Sequence, residues 1–146
     1  MGKYKAVILV IIQIICLGYL AITGPMLPSN FYMWILYLLG LILGIWAVIK
    51  MVLVSKLRVT PGIAQGSKLV TDGPYKYVRH PMYSGVLLAG LSLVINYPNI
   101  LRVIILAILV VDLVIKMNYE EILLKIYFSD YKVYKRFTWK LIPYLY

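Results

Sequence analysis

The chain has 146 residues, 63% of them hydrophobic, with 15 Lys or Arg against 5 Asp or Glu and a formal charge of +10. Soluble domains run at roughly 45–50% apolar, so this composition, with a mean hydropathy of +0.90, excludes an ordinary soluble domain and points to one integral membrane unit. The excess charge then belongs to cations flanking membrane spans and meeting anionic headgroups, not to a nucleic-acid surface, since no basic stripe accompanies a groove-reading or RNA-binding motif.

The first apolar run covers residues 6–23 and is closed by Gly24-Pro25. Lys3 and Lys5 precede it, as in a signal peptide, but the run contains Gln13 and lacks an A-x-A-like site, which favours a retained span. Gly2 is followed by Ala6 where myristoylation calls for Ser or Thr. Cys16, the single cysteine, has no disulfide partner and no Cys/His cluster for zinc, so it reads as a buried packing thiol, and no metal site is expected.

The second run, residues 31–54, has the length of a membrane span. The third, residues 81–95, is short, and Asn96-Tyr97-Pro98-Asn99 turns it into the fourth, residues 100–115. These two read as a tight helical hairpin in which Gly85 and Gly90 permit close approach. The tail after Met117 mixes charge with Ile122, Leu123, Ile126 and Tyr127 at near-helical spacing. It extends the fourth helix, bends near Ser129-Asp130 and continues as a short interfacial helix, with Tyr134, Trp139, Tyr144 and Tyr146 as headgroup anchors.

The expected fold class is therefore an all-α integral membrane protein of about four transmembrane helices with a helical tail. It is one domain: two spans in 1–54, a polar loop in 55–80, the hairpin in 81–117 and the tail in 118–146. Every cation except Arg102 lies at the N-terminus, between Lys50 and Arg79, or from Lys116 onward, and loops 24–30 and 96–99 carry none. By the positive-inside rule both termini and the polar loop are cytoplasmic.

Two polar clusters then share that face. One is the loop from Ser67 to Tyr83, which holds the only histidine, His80. The other is Lys116 with Glu120 and Glu121, brought back by the hairpin. Ion pairs at helical spacing, Lys116 with Glu120 and Glu121 with Lys125, explain the acids without a ligand. Asp112 lies inside the apolar run and needs a partner, for which Lys116 is the candidate. His80 by itself is equally read as a hydrogen-bonded interfacial side chain. Yet Arg79-His80-Pro81 sets a proline at a helix start, where free amides and a partial positive charge suit an anion and Arg79 and His80 reinforce them.

The segment Leu69-Val70-Thr71-x-Gly73-Pro74-Tyr75, followed by Arg79-His80-Pro81-x-Tyr83-x-Gly85, resembles the signature of the isoprenylcysteine carboxyl methyltransferase family, whose wider group includes membrane phospholipid N-methyltransferases. Glu120-Glu121, Leu124, Phe128, Tyr131, Tyr134 and Ile142-Pro143 resemble its second half, so the likeness covers about half of the chain. The resemblance implies binding of S-adenosylmethionine, with S-adenosylhomocysteine as product, at Ser67, Lys68, Leu69, Val70, Tyr75, His80, Pro81, Met82, Tyr83 and Glu120. It also implies methyl transfer to a lipid or lipidated small molecule, either a prenylcysteine-like carboxylate or a lipid amine. Lys116, on the substrate side, and Glu121, as proton acceptor for an amine, are the candidate catalytic residues. Family members place arginines at the positions of Lys116 and Phe137, and those departures bear on the substrate. The competing readings are a membrane reductase using NADPH and a small membrane protein without catalysis.

Overall fold

The computed structural model describes residues 3–55 and 65–145, without the side chain of Lys3. Gly2, the start of the polar loop and the anchor assigned to Tyr146 lie outside the described residues. The chain forms α1 (Lys3–Ile22), α2 (Phe31–Val54), α3 (Pro81–Asn96), α4 (Ile100–Tyr127) and α5 (Tyr131–Arg136), with a 3₁₀ turn at Gly73–Lys76. No strand occurs among the described residues; Val78 and Trp139 make an isolated parallel bridge.

Helices α1 and α2 are long and apolar enough to cross a membrane. Asn30 begins α2 by accepting from the Tyr32 amide, and Asn99 begins α4 by accepting from the Leu101 amide. Proline supplies the first turn of α3. At 16 residues α3 is about 24 Å long and falls short of a ~30 Å hydrocarbon core, whereas the 28 residues of α4 exceed it. The apolar run of α4 therefore ends well before the helix does, and the remainder carries Glu120 and Glu121 onward.

Ser29 donates its amide and hydroxyl to Asn96 Oδ1 at 2.8 and 2.9 Å, which ties the α1–α2 loop to the α3–α4 turn at one end of the bundle. Arg102 closes the same end. It is 1% exposed and donates to the carbonyls of Leu20 and Leu93 and to Thr23 Oγ1, at 2.9–3.0 Å. The cation expected on the outer rim is thus a buried clasp joining the ends of α1 and α3 to the start of α4. The exposed carbonyls of two helix ends explain its position, the one at Leu93 also accepting from the Tyr97 amide.

The hairpin turn forms where expected, but α3 packs chiefly on α2, and α4 on α1. Gly85 serves the α2–α3 crossing: a Cβ there would lie 2.6 Å from the Gly40 carbonyl oxygen and 2.8 Å from the Gly44 nitrogen. Gly90 meets only side chains, the nearest being Leu106 Cδ1 at 3.4 Å. The tight contact is therefore between the second and third helices, because Gly40 and Gly44 supply the matching small surface on α2. Cys16 packs against Leu109 and Leu113 between α1 and α4, as expected of a buried thiol.

Candidate functional site

At the end of the bundle opposite Arg102, the chain between α2 and α3 meets the far half of α4 and the C-terminal tail. Gly73 has φ of 60°, a left-handed conformation that turns the chain into the 3₁₀ segment. Lys50 pairs with Asp72 just before it. Tyr75 is buried against Ala47 and Val70, with Met51 and Met82 packed around them. Its hydroxyl reaches the Ala47 carbonyl at 3.4 Å, and its own carbonyl accepts from the Tyr134 hydroxyl at 2.7 Å.

Tyr134 is therefore a strut between the tail and the loop, not a headgroup anchor. The Trp139 backbone is also tied in: its amide donates to the Tyr77 carbonyl, and its carbonyl accepts from the Arg79 amide at 2.8 Å, while its half-buried ring packs on Tyr144 with centroids 4.6 Å apart. The Lys140 carbonyl takes the His80 amide at 3.1 Å. The short pairing of 77–80 with 139–140 folds the tail back over the start of α3. Tyr144, 88% exposed, stays at the surface with the Trp139 ring against it.

Inside this enclosure the two sequence clusters meet. Tyr83 donates its hydroxyl to Glu120 Oε1 at 2.7 Å, and His80 Nδ1 lies 3.4 Å from Glu120 Oε2. The His80 and Tyr83 rings stack with centroids 5.7 Å apart. His80 Nε2 is buried without a hydrogen bond, 3.7 Å from Glu121 Oε1. Burial works to lower the pKa of His80, but the two carboxylates outweigh it and hold the pKa above its ordinary value.

The paired acids divide their tasks. Glu121 accepts from Arg79 Nε and from Lys135 Nζ, each at 2.8 Å, and its side chain is 7% exposed. Burial raises its pKa, yet His80, Lys135 and Arg79 hold it far below the usual carboxylate range. So strongly stabilised an anion is a poor proton acceptor, which argues against the catalytic role the sequence suggested for it. Arg79 is equally committed: it also donates to the Thr138 carbonyl and is not free to bind an anion. Glu120 keeps 23% of its side chain exposed and is the acid open to a ligand.

Lys116 is elsewhere. It is 1% exposed, bonds Gln13 of α1, and lies 3.5 Å from Asp112 Oδ2. The expected Asp112–Lys116 pair is present, but Lys116 points into the α1–α4 interface instead of pairing with Glu120. Glu121 likewise takes Arg79 and Lys135 in place of Lys125. The ion pairs along one helix face give way to contacts between elements.

Of the candidate cofactor residues, the fold gathers Val70, Tyr75 and Met82 into one apolar cluster and His80, Tyr83 and Glu120 into one polar cluster. Pro81 is buried at the start of α3 between them. Ser67, Lys68 and Leu69 lead toward the cluster without regular secondary structure, and the Lys68 amide donates to Ser55 Oγ at 2.9 Å. Phe137, 74% exposed, ends α5 outside the enclosure. Sequence reasoning missed Gln13, Lys135 and Thr138 as partners. Gln13 was visible as the one strongly polar residue of an apolar run; Lys135 and Thr138 carried no such signal.

The family model described as phospholipid methyltransferase matches residues 29–130, more than half of the chain. Its span includes the His80–Tyr83–Glu120 cluster and ends just before α5. No curated protein and no solved structure matches the chain.

Proposed function

The chain belongs to the phospholipid methyltransferase family, a family of membrane methyltransferases, and from that premise we propose that it transfers the methyl group of S-adenosylmethionine to the amine of a membrane lipid. The open acid Glu120 carries this reading. It faces a buried histidine and a tyrosine hydroxyl, and three cations of the surrounding described helices and loops are engaged elsewhere: Arg79 and Lys135 on Glu121, Lys116 on Gln13 and Asp112. A carboxylate acceptor calls for a free cation, whereas an amine calls for an acid. Lys116 in place of arginine agrees with this, since lysine gives up the bidentate grip on a carboxylate.

The residues present fit the cofactor. Glu120 suits an ammonium or sulfonium, the orphaned Nε2 of His80 at the start of α3 suits a carboxylate, and Val70, Tyr75 and Met82 offer an apolar surface for a base. Ser67, Lys68, Leu69 and Pro81 complete the proposed binding stretch. Bound there, the cofactor supplies an electrophilic methyl group on a cationic sulfur.

The protein then has three tasks. Tyr83 and His80 fix the Glu120 carboxylate by hydrogen bonding and charge, so that it does not swing away from its ligand. Glu120 draws in the lipid ammonium, which must shed its proton to solvent before its lone pair can attack. The tail, closed over 77–80, keeps water from the reacting charges and holds the partners in line. Positive charge at the loop and both termini supports a cytoplasmic position for this face, with four helices in the bilayer as the proposed arrangement.

The test is radiolabelled methyl transfer to membrane extract, with identification of the labelled product. A labelled lipid amine supports the reading; a labelled lipid carboxylate overturns the choice of acceptor. Heat-stabilisation by NADPH and none by S-adenosylhomocysteine would overturn the methyltransferase itself and favour a reductase.

A further inference from the structure

An apolar cavity borders the 77–80 and 139–140 pairing, and its lining includes none of His80, Tyr83 and Glu120. It is a groove of 460 Å³ between α2 and α3, lined by Leu43, Trp46, Leu88 and Leu91 along its length and by Val78 and Leu141 at its polar end. The wall facing the site is closed: Ser84, which also borders the groove, donates to the Leu141 carbonyl at 2.7 Å, and the Arg79 and His80 amides are bonded to the tail. From Ser84 to Leu91 the groove follows α3 for about 10 Å.

Two observations identify the occupant. Leu43 and Trp46 belong to α2, which is long and apolar enough to span the membrane, so the groove opens where hydrocarbon chains are the solvent. Lys76 does not itself line the groove, but it adjoins the lining residue Tyr77 in the chain and is two residues from Pro74, which also lines it; it is exposed and without a hydrogen bond or ion pair among the described residues. Oil along the groove and an unspent cation one residue beyond its lining match a single acyl chain under an anionic phosphate headgroup.

We propose that the groove between α2 and α3 binds a resident anionic phospholipid, distinct from the methyl acceptor, with one acyl chain along Leu88 and Leu91 and its phosphate at Lys76. Because Val78 and Leu141 touch the chain while their neighbours Arg79 and Lys140 hold the catalytic face, the lipid braces the wall of the site from behind. The proposal does not depend on which group is methylated.

The probe is phosphatidylglycerol brominated on its acyl chains, with brominated phosphatidylcholine as comparison, in vesicles otherwise of phosphatidylcholine. In a protein carrying Trp34→Phe and Trp139→Phe, Trp46 reports contact. Quenching by the anionic lipid is expected at roughly fivefold lower mole fraction than by the neutral one, the preference a single lysine near the surface confers. Lys76→Gln should remove that preference, and Leu91→Phe should reduce quenching by both lipids. Equal quenching by the two lipids, or quenching unchanged by Leu91→Phe, overturns the proposal. The wild-type protein gives a second reading that needs no substitution: native mass spectrometry from phosphatidylglycerol-containing detergent should show one retained phospholipid. Its absence likewise overturns the site.

Discussion

Tyr83 donates its hydroxyl to Glu120 at 2.7 Å across 37 residues of chain. The first turn of α3 supplies one partner and the polar extension of α4 the other, so the whole hairpin must be in place before the pair exists. The loop with His80 and the paired acids are then two halves of one side-chain cluster, the candidate site.

Glu120→Gln should weaken S-adenosylhomocysteine binding by roughly 10- to 100-fold, the worth of a hydrogen bond to a charged group. Tyr83→Phe should cost less, since it removes one brace and leaves the charge. Isothermal titration in detergent measures both, with circular dichroism confirming the fold. Affinity unchanged in Glu120→Gln and also in His80→Ala would falsify the site assignment.

Glu121 and Arg79 should behave as a structural pair. Both side chains are less than a tenth exposed, at 7% and 8%. Glu121→Ala leaves Arg79 buried and short of its carboxylate, which costs about 3–5 kcal/mol. Chemical unfolding should register that loss, whereas Lys125→Ala, at the helical spacing the sequence favoured, should stay within about 0.5 kcal/mol of wild type. Equal effects of the two substitutions contradict the observed pairing.

Stability should decline at both ends of the pH range. Glu121 has a folded pKa depressed below its unfolded value, so its contribution is present above about pH 4.3 and is lost as pH falls further. His80 has a folded pKa raised above its ordinary 6.5, in spite of burial and because of Glu120 and Glu121. Its contribution is complete below about pH 6.5 and is lost as pH rises through the folded value. Thermal unfolding followed from about pH 5 to pH 9 should show Tm falling on the alkaline side. In His80→Gln that alkaline slope should flatten, and a slope identical to wild type would rule out the histidine as its source.

Much of this architecture is legible in the amino-acid order, because helix starts and stops are local. Asn30, Pro81, Asn99 and the 96–99 turn mark their boundaries by chemistry within a few residues. The meeting of His80 with Glu120 is legible too, since a hairpin must return near where it left. The partners of α3 are harder to read: Gly85 reveals a close approach but not whether α2 or α4 makes it. The tail is the hardest, because an aromatic residue such as Tyr134 suits an interfacial belt and an inward strut equally well. Only the backbone pairing with 77–80 decides between them.

The glycine contacts give a direct test of the helix pairing. Gly85→Ala puts a methyl group 2.6 Å from one backbone atom of α2 and 2.8 Å from another, and backbone cannot give way as a side chain can. Separating the helices should cost about 1–3 kcal/mol or more. Gly90→Ala meets Leu106 Cδ1 at an ordinary 3.4 Å. It should be neutral or stabilising by up to ~1 kcal/mol, since alanine is the better helix former. Melting temperatures of the two variants in one detergent decide the matter. If α4 were the tight partner of α3, Gly90→Ala would be the damaging change, and the order of the two would reverse.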